Sequence, residues 1–256
     1  MSFLEVEHVA KSYLVGSFMQ KKVTFDAVSD VSLSLNTGEC LGLVGESGSG
    51  KSTLGRMILG VERPCSGCIT VDGTELYRTK KIPSTIRREI QVVFQDYYGA
   101  VNPRMTVKQI IAEPLRNYQK LTKVEEQAYI NELLSMVGLH EEYGEKRPSE
   151  LSGGQLQRIN IARAIALKPR LIILDEPISA LDAIIQVEIL HLLKQLKEKL
   201  HLSYIFISHD LQAVSYLADQ IAVMHKGTII EQVNRVEELT EHQSKKLLIA
   251  RLPTLF

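Results

Sequence analysis

The chain contains no tryptophan, and aromatic residues make up only 6% of its 256 positions. Three cysteines cannot form a disulfide framework in the cytosol where the chain is expected to stay. Neither sign of charge prevails. Thirty Lys and Arg balance thirty Asp and Glu, which leaves no global field to draw in nucleic acid or anionic lipid. No apolar run nears the roughly 20 residues that cross a bilayer. The opening Met1-Ser-Phe-Leu-Glu-Val-Glu has neither the basic nor the apolar part of a signal peptide, so a cytosolic chain is expected. Seven histidines are scattered and form no ligand cluster. Cys65-Ser-Gly-Cys68 has the spacing of a metal or redox pair, but no second pair or nearby histidine completes it. It reads instead as a turn leading into a strand.

What is present is concentrated in a few segments. Gly45-Glu-Ser-Gly-Ser-Gly-Lys51-Ser52 fits G-x-x-x-x-G-K-[ST], the phosphate-binding loop. Its glycines let backbone N–H groups turn inward around a β-phosphate, Lys51 reaches the β- and γ-phosphates, and Ser52 offers a hydroxyl to Mg²⁺. The context agrees. An apolar strand, Cys40 to Val44, leads into the loop, and a helical stretch from Ser52 to Leu59 leaves it, aiming its positive end at the anion.

Leu171-Ile-Ile-Leu-Asp175-Glu176 is an apolar strand that ends in two carboxylates. Such a strand delivers its last side chains to the C-terminal edge of a sheet, where the loop's phosphates also sit. There Asp175 can hold Mg²⁺, directly or through water, and Glu176 can polarise the water that attacks the γ-phosphate. Leu151-Ser-Gly-Gly-Gln155 precedes a helical stretch from Gln157 to Leu167, a second N-terminus suited to an anion. One nucleotide rarely needs two cradles, so this one is expected to complete a site on another copy or a partner.

Val28 to Leu35 alternates as a half-buried strand does, and Phe3 to Val9 and Ile69 to Gly73 join it in a small antiparallel sheet. Ile90–Phe94, Leu171–Leu174 and Tyr204–Ile207 read as core strands. Ile185, Ile189, Leu192, Leu193, Leu196 and Leu200 form the core stripe of a helix. The expected class is α/β: a P-loop ATPase core with a parallel sheet flanked by helices, a small antiparallel β part and a helical insertion. As one domain over 1–256 it divides into an antiparallel part (1–37 and 68–78) and a core (38–67, 88–96 and 164–233). A helical part (97–163) and a tail (234–256) complete it. Ser208-His209-Asp210 is no hydrolase triad, because consecutive side chains point apart.

Together the segments carry a resemblance. The phosphate loop, Phe94-Gln95-Asp96, Leu151-Ser-Gly-Gly-Gln155, Leu174-Asp175-Glu176-Pro177, Ser179-Ala-Leu-Asp182 and Ser208-His209-Asp210 stand in the order and spacing of ATP-binding cassette ATPases. The likeness covers nearly the whole chain. It implies two subunits packed head to tail, each with ATP between its own loop and the partner's serine-glycine segment. By that resemblance Gly45, Glu46, Ser47, Gly48, Ser49, Gly50, Lys51, Ser52 and Thr53 line the nucleotide. Ser52, Gln95 and Asp175 serve Mg²⁺, and Glu176, with His209 and Gln95, carries hydrolysis. Ser152, Gly153, Gly154 and Gln155 meet the γ-phosphate of the opposite subunit, and Asp182 lies at the seam. Tyr13 resembles the aromatic that stacks on adenine; a plain core or surface tyrosine is the alternative.

Within the family, Arg87 to Asp96, Val101 to Val107 and Glu113-Pro-Leu115 resemble oligopeptide, dipeptide and nickel importers, with Tyr97 where those commonly have proline. Ala100-Val-Asn-Pro-Arg104 and Gly153 to Arg158 lean toward the second ATPase of a nickel or metal-chelate importer, ahead of a peptide importer. The tail, His242-Gln-Ser-Lys-Lys-Leu-Leu then Pro253, looks like a short form of the peptide-importer tail. The resemblance implies ATP and Mg²⁺ as cofactors and a peripheral place on the cytoplasmic face of the membrane. The partners it implies are two separate permeases, a sibling ATPase or second copy, and an extracytoplasmic binding protein, with no nucleic acid. A nucleic-acid or ribosome-associated clamp is disfavoured by the single cassette, the absence of heptads and the neutral charge. An export or lipoprotein-release ATPase is a lesser alternative.

Overall fold

The computed structural model describes residues 2–15, 23–79 and 81–239; the tail residues His242 to Leu248 and Pro253 lie outside them. In chain order the elements are β1 (Ser2–Val15), β2 (Val23–Asn36), β3 (Cys40–Val44), α1 (Lys51–Ile58), β4 (Ser66–Val71), β5 (Thr74–Glu75) and α2 (Ser84–Glu89). Then come β6 (Ile90–Val93), α3 (Val107–Tyr118), α4 (Lys123–Met136), α5 (Gly153–Ile165), β7 (Leu171–Asp175) and α6 (Ala183–Leu200). The last are β8 (Ser203–Ser208), α7 (Leu211–Leu217), β9 (Gln220–His225) and β10 (Thr228–Val233). The class is α/β, with parallel strands, a separate antiparallel sheet and helices. Two compact units divide the chain, one built from the residues up to Arg87 together with those from Ser203 onward, the other Arg88–Leu202.

In the first unit, β2, β1, β4 and β5 form an antiparallel sheet in that order. Leu4, Val6, Val31, Leu35 and Ile69 share its buried face. The alternation read over Val28–Leu35 appears as the burial pattern of β2, although the strand begins five residues earlier, at Val23. Both β1 and β2 continue outward as a two-stranded ribbon, Tyr13 opposite Phe25 and Leu14 opposite Thr24.

The same unit holds strands in the order β10-β9-β3-β8. β3 lies parallel to both β8 and β9, and β10 is antiparallel to β9. Every residue of β3 is buried, as a strand covered on both faces requires. The register pairs Val44 with Ser208, so the phosphate loop and His209 leave the sheet at one edge. Gly42 sits under α7, where an added Cβ would lie 2.4 Å from Val214 Cγ1 and 3.1 Å from the Ala218 Cβ. Gly42→Ala is therefore expected to overpack this layer and cost about 1–3 kcal/mol. A lower urea midpoint at unchanged slope is the measurement that checks it.

In the second unit β6 runs parallel to β7, from Ile90 opposite Leu171 to Val93 opposite Leu174. Helices α3, α4 and α5 pack on one another. Thr122 and Glu125 open α4 with a reciprocal capping box, the Glu125 amide N–H donating to Thr122 Oγ1. Arg163 on α5 donates to the Ala100 carbonyl (2.8 Å) and to Glu113 on α3 (2.8 Å), tying the segment after β6 to both helices. Of the α6 stripe, Ile189, Leu192, Leu193 and Leu196 are buried as expected, while Ile185 and Leu200 at its ends are half-buried. None of the helices among the described residues is long and apolar enough to cross a membrane.

Candidate nucleotide site

The first unit carries the phosphate loop. Its turn from β3 into α1 depends on three glycines with positive φ: Gly45 (154°), Gly48 (79°) and Gly50 (106°). At Gly45 a Cβ would fall 2.1 Å from the Met224 carbonyl oxygen, and at Gly50 2.2 Å from the Ala27 carbonyl oxygen. Around Gly48 nothing lies within 4 Å, so the backbone there faces open space. The glycines thus let the loop pass hard against β2 and β9, while at Gly48 it borders open space. That is the shape an oxyanion cradle needs. Lys51 is 5% exposed, and its ammonium donates to the carbonyls of Gly45 (2.9 Å) and Glu46 (2.8 Å) inside the loop. Thr53 is buried and Ser52 half-buried in the first turn of α1; Glu46, Ser47 and Gly48 are exposed.

A support that local reasoning did not find is the β9–β10 turn. The Gly227 N–H donates to the Ser49 carbonyl (2.9 Å), and the Gly227 carbonyl accepts from Ser29 N–H (2.7 Å). Gly227 (φ 86°) thereby bridges the loop to β2. Its sequence signal, Lys226-Gly227 between two apolar runs, is an ordinary hairpin turn. His209 is exposed directly after β8. Beside it Ser208 Oγ accepts from the Asp210 N–H (3.0 Å), and Asp210 caps α7 through Gln212 and Ala213. Tyr13 lies on β1, half-buried, with its hydroxyl donating to Glu62.

Cys65 is exposed and Cys68 half-buried, and their sulfurs face Ser12 O (3.9 Å) and Thr70 Oγ1 (3.6 Å). Among the described residues no group of three or more His, Cys, Asp and Glu is arranged to hold a metal.

The second unit carries the carboxylates and the serine-glycine segment. Asp175 closes β7, and Glu176 follows with φ 48°, a left-handed conformation that costs a β-carbon residue about 1–2 kcal/mol. The turn is held by Ser179, whose N–H and hydroxyl both donate to the Glu176 carbonyl. Gln95 Nε2 donates to Glu176 Oε2 at 3.3 Å, so two residues 81 apart in sequence meet. Buried Gln157 of α5 donates to the Pro177 carbonyl at 2.7 Å, which anchors the same turn from its other side.

Ser152 through Gln155 differ from the sequence expectation in one respect. The glycines do not precede the helix; they are its first turn, because α5 begins at Gly153. The cause is a capping box: Ser152 Oγ accepts from the Gln155 N–H (3.2 Å), and Gln155 Oε1 accepts from the Ser152 N–H (3.0 Å). A Cβ at Gly154 would lie 2.6 Å from Ile185 Cγ2, and one at Gly153 2.9 Å from the Tyr97 hydroxyl. A side chain at either position would therefore make Tyr97 or Ile185 shift. Asp182 is exposed at the N-terminus of α6, its carbonyl accepting from Gln186. Ser152→Ala is expected to cost about 1 kcal/mol of stability through the lost cap, read as a lower midpoint in chemical denaturation.

A glycine-lined loop with a buried lysine, entering a helix from a parallel strand, defines a P-loop nucleotide-binding ATPase. Residues 28–179 match the ABC transporter family, and the chain belongs to that family as an ATP-binding, ATP-hydrolysing transport ATPase. It is 44% identical over 233 residues to an oligopeptide transport ATP-binding protein, OppF, of Lactococcus lactis subsp. lactis, covering 90% of this chain and 73% of that one. To a nickel import ATP-binding protein, NikE, of Escherichia coli O157:H7 it is 42% identical over 241 residues, covering 94% and 90%. Among solved structures it is similar to the dimeric post-hydrolysis state of the ATP-binding cassette MJ0796 bound to ADP and Pi. There the TM-score is 0.79 at 29% identity, covering 90% of this chain and 98% of that one.

Proposed function

We propose that this chain is the ATP-hydrolysing subunit of a binding-protein-dependent importer for nickel or a metal chelate. It works head to tail with a sibling ATPase or a second copy, against two permeases on the cytoplasmic face of the membrane. The observation that carries the coupling part is a groove of about 250 Å³ lined by Phe94, Ala100, Glu113, Tyr118, Asn160 and Arg163. It opens on the segment whose next residue, Gln95, bonds Glu176. A permease helix seated there would shift Gln95, and so register its presence at the proposed base. ATP closes the pair because the γ-phosphate is grasped fully only when the second subunit's Ser152–Gln155 turn is added. A near-complete switch needs about 5 kcal/mol of such differential binding.

In this reading Lys51 and the loop amides hold the β- and γ-phosphates, and Tyr13 stacks on adenine. Glu176 takes the proton of the attacking water, and His209 bonds the γ-phosphate. Ser52, Asp175 and Gln95 are hard oxygen donors of the kind Mg²⁺ takes. When bound, Mg²⁺ neutralises charge on the phosphate oxygens.

Ala100 to Arg104 and Gly153 to Arg158 favour nickel as cargo, while the 44% identity to OppF supports an oligopeptide importer as the second reading. The test is calorimetric titration of the cognate extracytoplasmic binding protein with nickel chelates and with short peptides. Tight nickel-chelate binding is expected, and tight peptide binding with none to nickel overturns the cargo assignment. Salt-sensitive retention of DNA by the chain would instead revive the clamp alternative.

A further inference from the structure

The Tyr13 hydroxyl bond to Glu62 belongs to a larger cluster of charged groups behind the ring. Glu62 lies in the turn after α1, and its position is fixed by the backbone. Its N–H donates to the Arg56 carbonyl (3.2 Å), and its own carbonyl accepts from the Tyr77 hydroxyl (2.5 Å). Its carboxylate, 19% exposed, accepts from the Tyr13 hydroxyl and pairs with Arg56 Nε (3.3 Å) and Lys11 Nζ (3.4 Å). Burial raises the pKa of Glu62, but the bonds from Tyr13, Arg56 and Lys11 outweigh it and hold the group below the ordinary carboxylate range. At neutral pH the group is therefore an anion. Arg56 reaches on to Thr53 Oγ1 (3.1 Å), in the first turn of α1 two residues past Lys51. A bonded path thus joins the Tyr13 ring to the helix that follows the phosphate loop. The Lys11 ammonium also stands 5.4 Å from the centre of that ring.

We propose that Glu62 is a positioning residue for the nucleobase. It fixes the tilt and height of the Tyr13 ring relative to the phosphate loop, and the base stacks on the ring face away from Lys11. This rests on the reading of Tyr13 as the adenine platform. The physical gain is preorganisation. A tyrosine on a projecting ribbon would otherwise lose rotamer freedom when the base arrives, a cost of about 0.5–1.5 kcal/mol, whereas here the hydroxyl is already bonded.

The full chain is titrated by calorimetry with Mg-ATP and with Mg-tripolyphosphate, which has the phosphates but no base. Tyr13→Phe and Glu62→Ala are each expected to weaken ATP binding about five-fold. Tripolyphosphate binding stays within about two-fold, since neither change touches the loop. Glu62→Gln, whose amide oxygen still accepts from Tyr13, is expected to retain most ATP affinity. The Tyr13→Phe, Glu62→Ala double variant should be no weaker than Glu62→Ala alone, because that change already removes the Tyr13–Glu62 bond. Equal loss of both ligands in Glu62→Ala overturns the inference, since Glu62 would then serve the shape of α1. So does unchanged ATP affinity in Glu62→Ala and Tyr13→Phe while Tyr13→Ala binds weakly. Unchanged ATP affinity in Tyr13→Ala removes the adenine-platform reading itself.

Discussion

Glu176→Gln is expected to slow ATP hydrolysis by about 10²–10⁴-fold and to make ATP-bound dimers accumulate. Glutamine keeps the size of the side chain and can still bond Gln95, but it cannot take a proton from water. The backbone argues for the same residue. A left-handed φ of 48° at a non-glycine position is unfavourable, and here the Ser179 bonds and the Gln157–Pro177 bond hold it. Such strain re-aims the carboxylate away from the direction that continuation of β7 would give it. Phosphate release at saturating ATP, measured with the ATPase pair assembled, checks the rate, and size-exclusion chromatography checks the dimer. Turnover near that of the unaltered protein would refute the assignment of the base to Glu176.

Lys51→Ala is expected to weaken ATP binding about 10²-fold. Charge-assisted hydrogen bonds contribute about 1.5–3 kcal/mol each, and the ammonium is the one cationic side chain of the phosphate loop itself. Its bonds to the Gly45 and Glu46 carbonyls hold it at the loop before ligand arrives, so little side-chain entropy remains to be lost on binding. The same substitution leaves those carbonyls without the ammonium, and the nucleotide-free chain should also melt earlier. Calorimetric titration with Mg-ATP is the measurement. Undiminished affinity would remove the loop from the nucleotide site.

Much of this was legible in the residues because the signals are local. β3 and β7 are unbroken apolar runs, α6 carries a helical stripe, and the loop's glycines follow each other within six positions. β9 and β10 carry no strand signal that a local reading detects. β9 is buried between β3 and β10, so it shows no alternation to detect, and β10 is half-buried along most of its length. α5 starts four residues before the Gln157 expected from sequence, because the Ser152–Gln155 capping box outweighs the low helix propensity of two glycines.

Taken alone, the order of residues determined the α/β class, the ATPase family and the identity of the phosphate loop, since each rests on short local motifs and on their order along the chain. Only the folded chain decided that Gln95 meets Glu176, that Gly227 supports Ser49, that Tyr97 and Ile185 pack against glycines 153 and 154, and that Glu62 holds Tyr13. Those contacts join residues from 30 to 180 positions apart, roughly. Their geometry depends on strand register and helix packing, which no local pattern of side chains encodes.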